Sequence, residues 1–258
     1  MHALQFVIVL GISMPILLNA AGLNCKQRVA KIKNILKSIK NVERDCDAEF
    51  DLPCDCEPPT VESAVWTTYV RWGRTVCPAT NGATVLYKGI AAGSEHLHTG
   101  GGSNYLCLPD DPEWQTYVDG VAVAGAYIHG AEYQFYKDNK HHVPFSGANA
   151  PGGDPHALHD QDVPCVVCQI PRNTVMIPAK RTCPSGWTSE FNGYLVAEHY
   201  SHPSNKEFVC MDDAPEALTG GHENRNGALF YSVQSVCGSL PCPKYVNGRE
   251  LTCVVCSK

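Results

Sequence analysis

Apolar residues follow three different patterns along this chain. From Ala3 to Leu18 they run almost without a break, interrupted by Gln5, Gly11, Ser13 and Pro15. Between Cys25 and Cys46 they return at alternating steps of three and four, at Val29, Ile32, Leu36 and Ile39, with no internal Gly or Pro. From Val65 onward short runs rich in Val, Tyr, Trp and Ile alternate with turn residues. The first pattern suits a membrane-targeting segment, the second an amphipathic helix, and the third β-strands.

The first run is shorter than the roughly 20 residues a spanning helix needs, and the small residues Ala20, Ala21 and Gly22 follow it. We expect a signal peptide over residues 1–21 and hence secretion, with a retained anchor as the alternative. No other segment is apolar enough to span a membrane.

Residues 23–50 are expected to be a helical oligomerisation segment. Written as heptads, Val29 and Leu36 occupy a, and Ile32 and Ile39 occupy d; Cys25 and Cys46 share the d register one heptad beyond each end. Such a seam calls for a partner helix, and two or three heptads are marginal alone. The expected partner is a second copy, as a coiled-coil dimer or trimer with Cys25 and Cys46 as interchain bridges; the alternative is packing on its own domain. The helix is also basic, with Lys26, Arg28, Lys31, Lys33, Lys37, Lys40 and Arg44, and an acidic stretch follows it. That charge reads as a solvated face, with anionic glycans as a further partner class. Residues 51–65 form a Pro- and Cys-rich linker. Cys54 and Cys56 point apart on an extended chain and cannot readily bridge each other, so they join the interchain candidates.

Strands are expected over Trp66–Trp72, Thr84–Ile90, Val121–Ile128, Thr174–Ile177, Tyr194–Val196 and Ala228–Val236. Asn81-Gly82, Asn192-Gly193, Asn226-Gly227 and Asn247-Gly248 are turn signals. Residues 137–162 are polar and rich in Gly, Pro and His, and read as a surface loop containing His141, His142, His156 and His159.

This β region is written twice. Cys77-Pro, Cys107 and Cys165-Val-Val-Cys168 are answered by Cys183-Pro, Cys210 and Cys253-Val-Val-Cys256. Cys107-Leu-Pro-Asp-Asp-Pro-Glu113 matches Cys210-Met-Asp-Asp-Ala-Pro-Glu216, and Gly125-Ala-Tyr-Ile128 matches Gly227-Ala-Leu-Phe230. Duplication on this scale means one folding unit repeated. The expected fold class is mainly β: two tandem disulfide-stapled β-rich subdomains, residues 66–170 and 171–258, preceded by the short amphipathic helix. The polar insertion has no counterpart in the second unit.

Composition narrows the functions. The net charge of -6 gives no global case for nucleic acid. The 14 cysteines are an even number, as an oxidising compartment favours. The doubled Cys-Val-Val-Cys has three readings: a redox dithiol, a four-thiolate zinc site, or structural disulfides, and export favours the last. Among the 11 histidines, His96 and His98 follow Glu95 as His199 and His202 follow Glu198. They are the candidate metal ligands, although duplication alone explains the likeness; we expect no metal and no cofactor. No nucleophile elbow, metalloprotease helix motif or phosphate loop is present, so no catalytic residue is nominated and the protein is not expected to be an enzyme.

From Tyr69-Val-Arg-Trp-Gly-Arg-Thr75, Cys183-Pro-Ser-Gly-Trp-Thr-Ser189, Ile177-Pro-Ala-Lys180, Asn226-Gly-Ala-Leu-Phe-Tyr231 and the doubled Cys-Val-Val-Cys, residues 66–258 resemble the C-terminal domain of short-chain, spongin-type collagens. They are also similar to the tandem non-collagenous C-terminal domain of type IV collagen. The resemblance implies bridges Cys77–Cys168, Cys107–Cys165, Cys183–Cys256 and Cys210–Cys253, with Cys237 and Cys242 as a short-range pair. It also implies association in threes. There is no Gly-X-Y segment. The expected function is a secreted extracellular-matrix structural or adhesive protein that oligomerises, with other matrix proteins or anionic glycans as partners. The alternative is a soluble, lectin-like or defence-related binding module.

Overall fold

Beyond residue 65 the β-branched and aromatic runs become strands, as a computed structural model shows. It describes residues 66–136 and 143–258, together with Gln27 and Ala30. Cys25, Cys46, Cys54, Cys56 and the expected seam of Val29, Ile32, Leu36 and Ile39 lie outside the described residues, as do His141 and His142.

Ten strands follow in order: β1 (Thr67–Trp72), β2 (Thr84–Gly93), β3 (Leu106–Pro109), β4 (His129–Tyr133), β5 (Pro164–Ile170), β6 (Thr174–Pro178), β7 (Thr188–Ala197), β8 (Val209–Asp212), β9 (Ala228–Ser232) and β10 (Thr252–Ser257). Four short 3-10 turns accompany them, so the chain is mainly β over this region.

One pairing scheme occurs twice. Strand β5 lies between β1 and β2, antiparallel to both, and β2 also pairs with β3 and β4. Strand β10 lies between β6 and β7, and β7 also pairs with β8 and β9. The two sets are joined by two parallel contacts, β1 with β8 at Trp72↔Met211 and β4 with β9 from Ala131↔Ala228 to Tyr133↔Phe230. Following the pairs from β7 through β8, β1, β5, β2, β4 and β9 leads back to β7. That closure leaves β6 as an edge, and β3 forms strand pairs only with β2.

Neither half owns its core. One cluster joins Trp72, Tyr105, Tyr133, Phe135 and Val167 to Val196, Met211 and Phe230. The other joins Tyr69, Val166 and Ile170 to Phe191, Leu195 and Val255. Residues 64–258 accordingly fold as one unit, and the boundary expected at residue 170 runs through both clusters.

Three local expectations differ from the structure. Asn192-Gly193 is no turn but lies within β7; the backbone of β8 passes so close that a Cβ on Gly193 would sit 1.7 Å from the Met211 carbonyl oxygen. Gly89 on β2 meets Leu108 at the same distance. The expected surface loop 137–162 is mostly exposed or half-buried where it is described, but it also sends four residues into the core: Val143, Phe145, Ala150 and Leu158 are buried, and Phe145 stacks on Phe135 at 4.6 Å. Its apolar residues are irregularly spaced, so no period betrays them. Residues 121–128 form no strand and are exposed apart from the partly covered Tyr127.

Candidate functional site

All ten cysteines of the described β region are bridged. The pairs are Cys77–Cys168, Cys107–Cys165, Cys183–Cys256, Cys210–Cys253 and Cys237–Cys242. Residues three apart on a strand point to opposite faces. Each Cys-Val-Val-Cys therefore bolts its central strand on both sides, to the neighbouring β3 or β8 on one and to the loop before β2 or β7 on the other. Free thiolates for redox chemistry or zinc do not exist in these motifs.

Charged side chains concentrate where the second set of strands meets the first. Arg71 reaches Asp212 at 2.7 Å, and Arg74 reaches Glu216 at 2.8 Å. Glu216 also accepts from the Thr75 backbone N–H and hydroxyl at 3.0 and 2.7 Å, while its own N–H donates to the Gly73 carbonyl at 2.7 Å. Residues 213–221 are thereby laid against the end of β1 and, through Leu218 N–H to the Asp162 carbonyl, against β5. Two residues before Arg71, on the same face of β1, Tyr69 donates to Glu190 at 3.0 Å, and Arg172 pairs with Glu190 at 2.9 Å. Burial and the Glu190 charge push the Tyr69 hydroxyl well above its ordinary range.

The candidate metal histidines come together only in part. His96 and His202 have ring centroids 4.9 Å apart, and His199 lies 5.1 Å from His202. Each carboxylate pairs with a different histidine: Glu198 holds His202 at 2.9 Å together with the fully buried Lys206 ammonium at 2.6 Å, and Glu95 holds His96 at 2.9 Å. His98 faces His129 at 5.6 Å instead. Burial, helped by the neighbouring His202, lowers the His199 pKa. Among the described residues no group of three or more His, Cys, Asp and Glu is placed to hold a metal ion. The arrangement is a polar seam: His96 N–H donates to Gly227 and Leu229 N–H donates to Glu198.

Beside this seam lies an open cleft of about 360 Å³, lined by His129, Glu132, Asp162, Glu223, Arg225 and four glycines. Glu132 is only 2 % exposed. Its Oε1 accepts from the Arg225 and Asn226 backbone N–H groups at 2.8 and 3.0 Å, while its Oε2 has no hydrogen-bond partner. Burial raises the pKa of both Glu132 and Asp162. The Arg225 guanidinium is mostly exposed and pairs with Glu223.

Sequence reasoning missed Glu132, Asp162 and Arg71. Every residue from Ala131 to Phe135 is buried, so no alternation marks Glu132 as special. Asp212 and Glu216 stand inside a repeat motif that was legible, but their arginine partners are some 140 residues away.

Among the described residues no helix is long and apolar enough to cross a membrane. No protein-family model matches the chain.

Proposed function

We propose that this is a secreted, disulfide-stapled extracellular-matrix protein whose structural or adhesive work depends on head-to-tail self-association of its β region. We also propose that the β region consists of two duplicated subdomains of the type IV collagen C-terminal kind. The doubled pairing scheme supports duplication, and the five bridges support export to an oxidising compartment.

The observation that carries the association is an asymmetry between matching segments. Cα partners align the copies: Ala91 faces Cys107 as Leu195 faces Cys210, so Glu113 matches Glu216. Tyr69 faces Cys168 as Val175 faces Cys256, so Gly73 matches Ala179 and Arg74 matches Lys180. Gly73 and Ala179 both have a positive φ, 80° and 58°. Yet the segment after β8 packs on β1, whereas the matching segment after β3 packs on nothing among the described residues. Trp114, Tyr117, Val118, Val121 and Val123 are 67–100 % exposed. Fully burying such side chains is worth roughly 1.5–3 kcal/mol each, and an exposed patch of this kind marks an interaction surface.

The β6 edge of a second copy is what the β1–β8 contact prescribes as the partner of β3. In that contact Lys180 meets Glu113 and Pro178 meets Leu108, and residues 126–128 gain the strand partner that a single chain lacks. A head-to-tail contact builds a ring if it closes and a filament if it does not; the family resemblance favours a ring of three. The test is sedimentation of the native protein together with tissue fractionation. An oligomer recovered from the insoluble matrix fraction is expected. A monomer free in body fluid would overturn the reading and favour a soluble binding module.

A further inference from the structure

The acidic cleft differs from its own duplicate. Glu132 and Asp162 face each other in an isolated antiparallel bridge, and so do Gln234 and Glu250. The positions match, because Glu132 lies three residues after His129, which faces Gly93, and Gln234 lies three after Tyr231, which faces Ala197. In the second copy the Gln234 amide donates to the Glu250 carboxylate at 3.1 Å, an exposed and satisfied pair. In the first copy a second carboxyl replaces the amide. It is buried, one of its oxygens has no partner, and it stands in a cleft whose Gly130 wall is open, with no atom within 4 Å of an added Cβ. A fold that needed only to fill this position had an amide solution available.

We propose that this cleft binds a cationic nitrogen group, an alkylammonium or guanidinium, which donates to Glu132 Oε2 and to Asp162. A carboxylate oxygen left without a donor in a desolvated site is costly, and a charge-assisted hydrogen bond from a cation is the interaction that removes the cost. No side chain of the cleft donates to Oε2: the Arg225 guanidinium acts on Asp162 through its charge alone and pairs with Glu223 in solvent, and His129 lies against His98. Among the described residues no three ligands are placed here to hold a metal ion. The volume fits one amine-bearing chain, either a free amine or a lysine or arginine side chain. Burial raises the pKa of both carboxyls, so binding of a cation releases protons at mildly acidic pH.

The inference does not rest on self-association. The experiment is calorimetric titration of the full secreted protein with cadaverine, with a short lysine-containing peptide, and with the uncharged diol matching cadaverine. Saturable binding of either amine and none of the diol is expected. Binding of the peptide alone would identify a protein side chain as the source. Glu132→Gln should weaken binding by about tenfold or more, and this variant carries the residue the second copy already tolerates. Asp162→Asn should act in the same direction, Gly130→Thr should block the cleft, and Asp119→Asn outside it should change nothing. Absence of saturable amine binding by the wild type, or unchanged affinity in folded Glu132→Gln, would overturn the proposal. A monomer that binds cadaverine would refute the association reading alone.

Discussion

Reversing one charge pair tests the head-to-tail contact. The proposed intermolecular pair is Lys180 with Glu113, and its template within the chain is Arg74 with Glu216 at 2.8 Å, with side chains 15 % and 22 % exposed. A fully exposed pair contributes about 0–1 kcal/mol. The template pair is largely covered, so about 1–2 kcal/mol is the expected loss on breaking its counterpart. Lys180→Glu also places two like charges together, and at roughly 1.4 kcal/mol per decade it should weaken association by about 10- to 100-fold. Glu113→Lys should do the same. Both side chains are exposed in the single chain, so neither change should alter its melting temperature by more than a degree or two. The double variant restores opposite charges and should recover most of the affinity. Sedimentation velocity over a concentration series gives the four association constants, of the wild type, the two single variants and the double variant. If the double variant is as weak as the sum of the singles, the two residues do not meet and the register is wrong.

Other perturbations probe the fold and the cleft. Loop-closure entropy assigns about 4 kcal/mol to Cys183–Cys256, separated by 73 residues, and about 2 kcal/mol to Cys237–Cys242, separated by 5; Cys183→Ala should block secretion, whereas Cys237→Ala should be secreted with a lowered Tm. Gly193→Ala forces a methyl to 1.7 Å from the Met211 carbonyl oxygen and should prevent folding, as judged by loss of secreted protein, whereas Gly82→Ala, with open space around it, should fold with a modest loss from its positive φ. Because folding raises the Glu132 pKa, the folded state holds more protons than the unfolded chain just above the usual carboxyl range, so stability falls as pH rises through that window. Glu132→Gln should therefore flatten that slope and raise the Tm at neutral pH, measured by thermal melts in the absence of amines.

The doubled strand-pairing scheme was foreshadowed in the sequence because cysteines and their neighbours repeat as text, and text survives where hydrophobic periodicity does not. Strands β2, β6 and β7 announced themselves through clustered Val, Tyr, Leu and Ile. Strands β3 and β8 did not, since four residues centred on a cysteine are too short for a period to show. Their pairing made Gly193 obligatory, and read without that neighbour an Asn-Gly step looks like a turn. The four long bridges join the cysteines that the collagen resemblance pairs; spacing alone left redox and zinc readings open. Burial of Phe145 and Leu158 was hidden because their contacts come from chain closure rather than local pattern. Glu132 was invisible for the same reason: its environment is built by residues 160–162 and 220–227, and only comparison with Gln234 shows that its position has an alternative.

The most direct test of the central claim is zero-length carbodiimide cross-linking of a mixture of light and heavy-isotope protein, read by mass spectrometry. Head-to-tail association predicts a Glu113–Lys180 cross-link in which one peptide is light and the other heavy, alongside both unmixed forms. Cross-links at these residues that never mix isotopes, in a protein that sediments as a single chain, would contradict it.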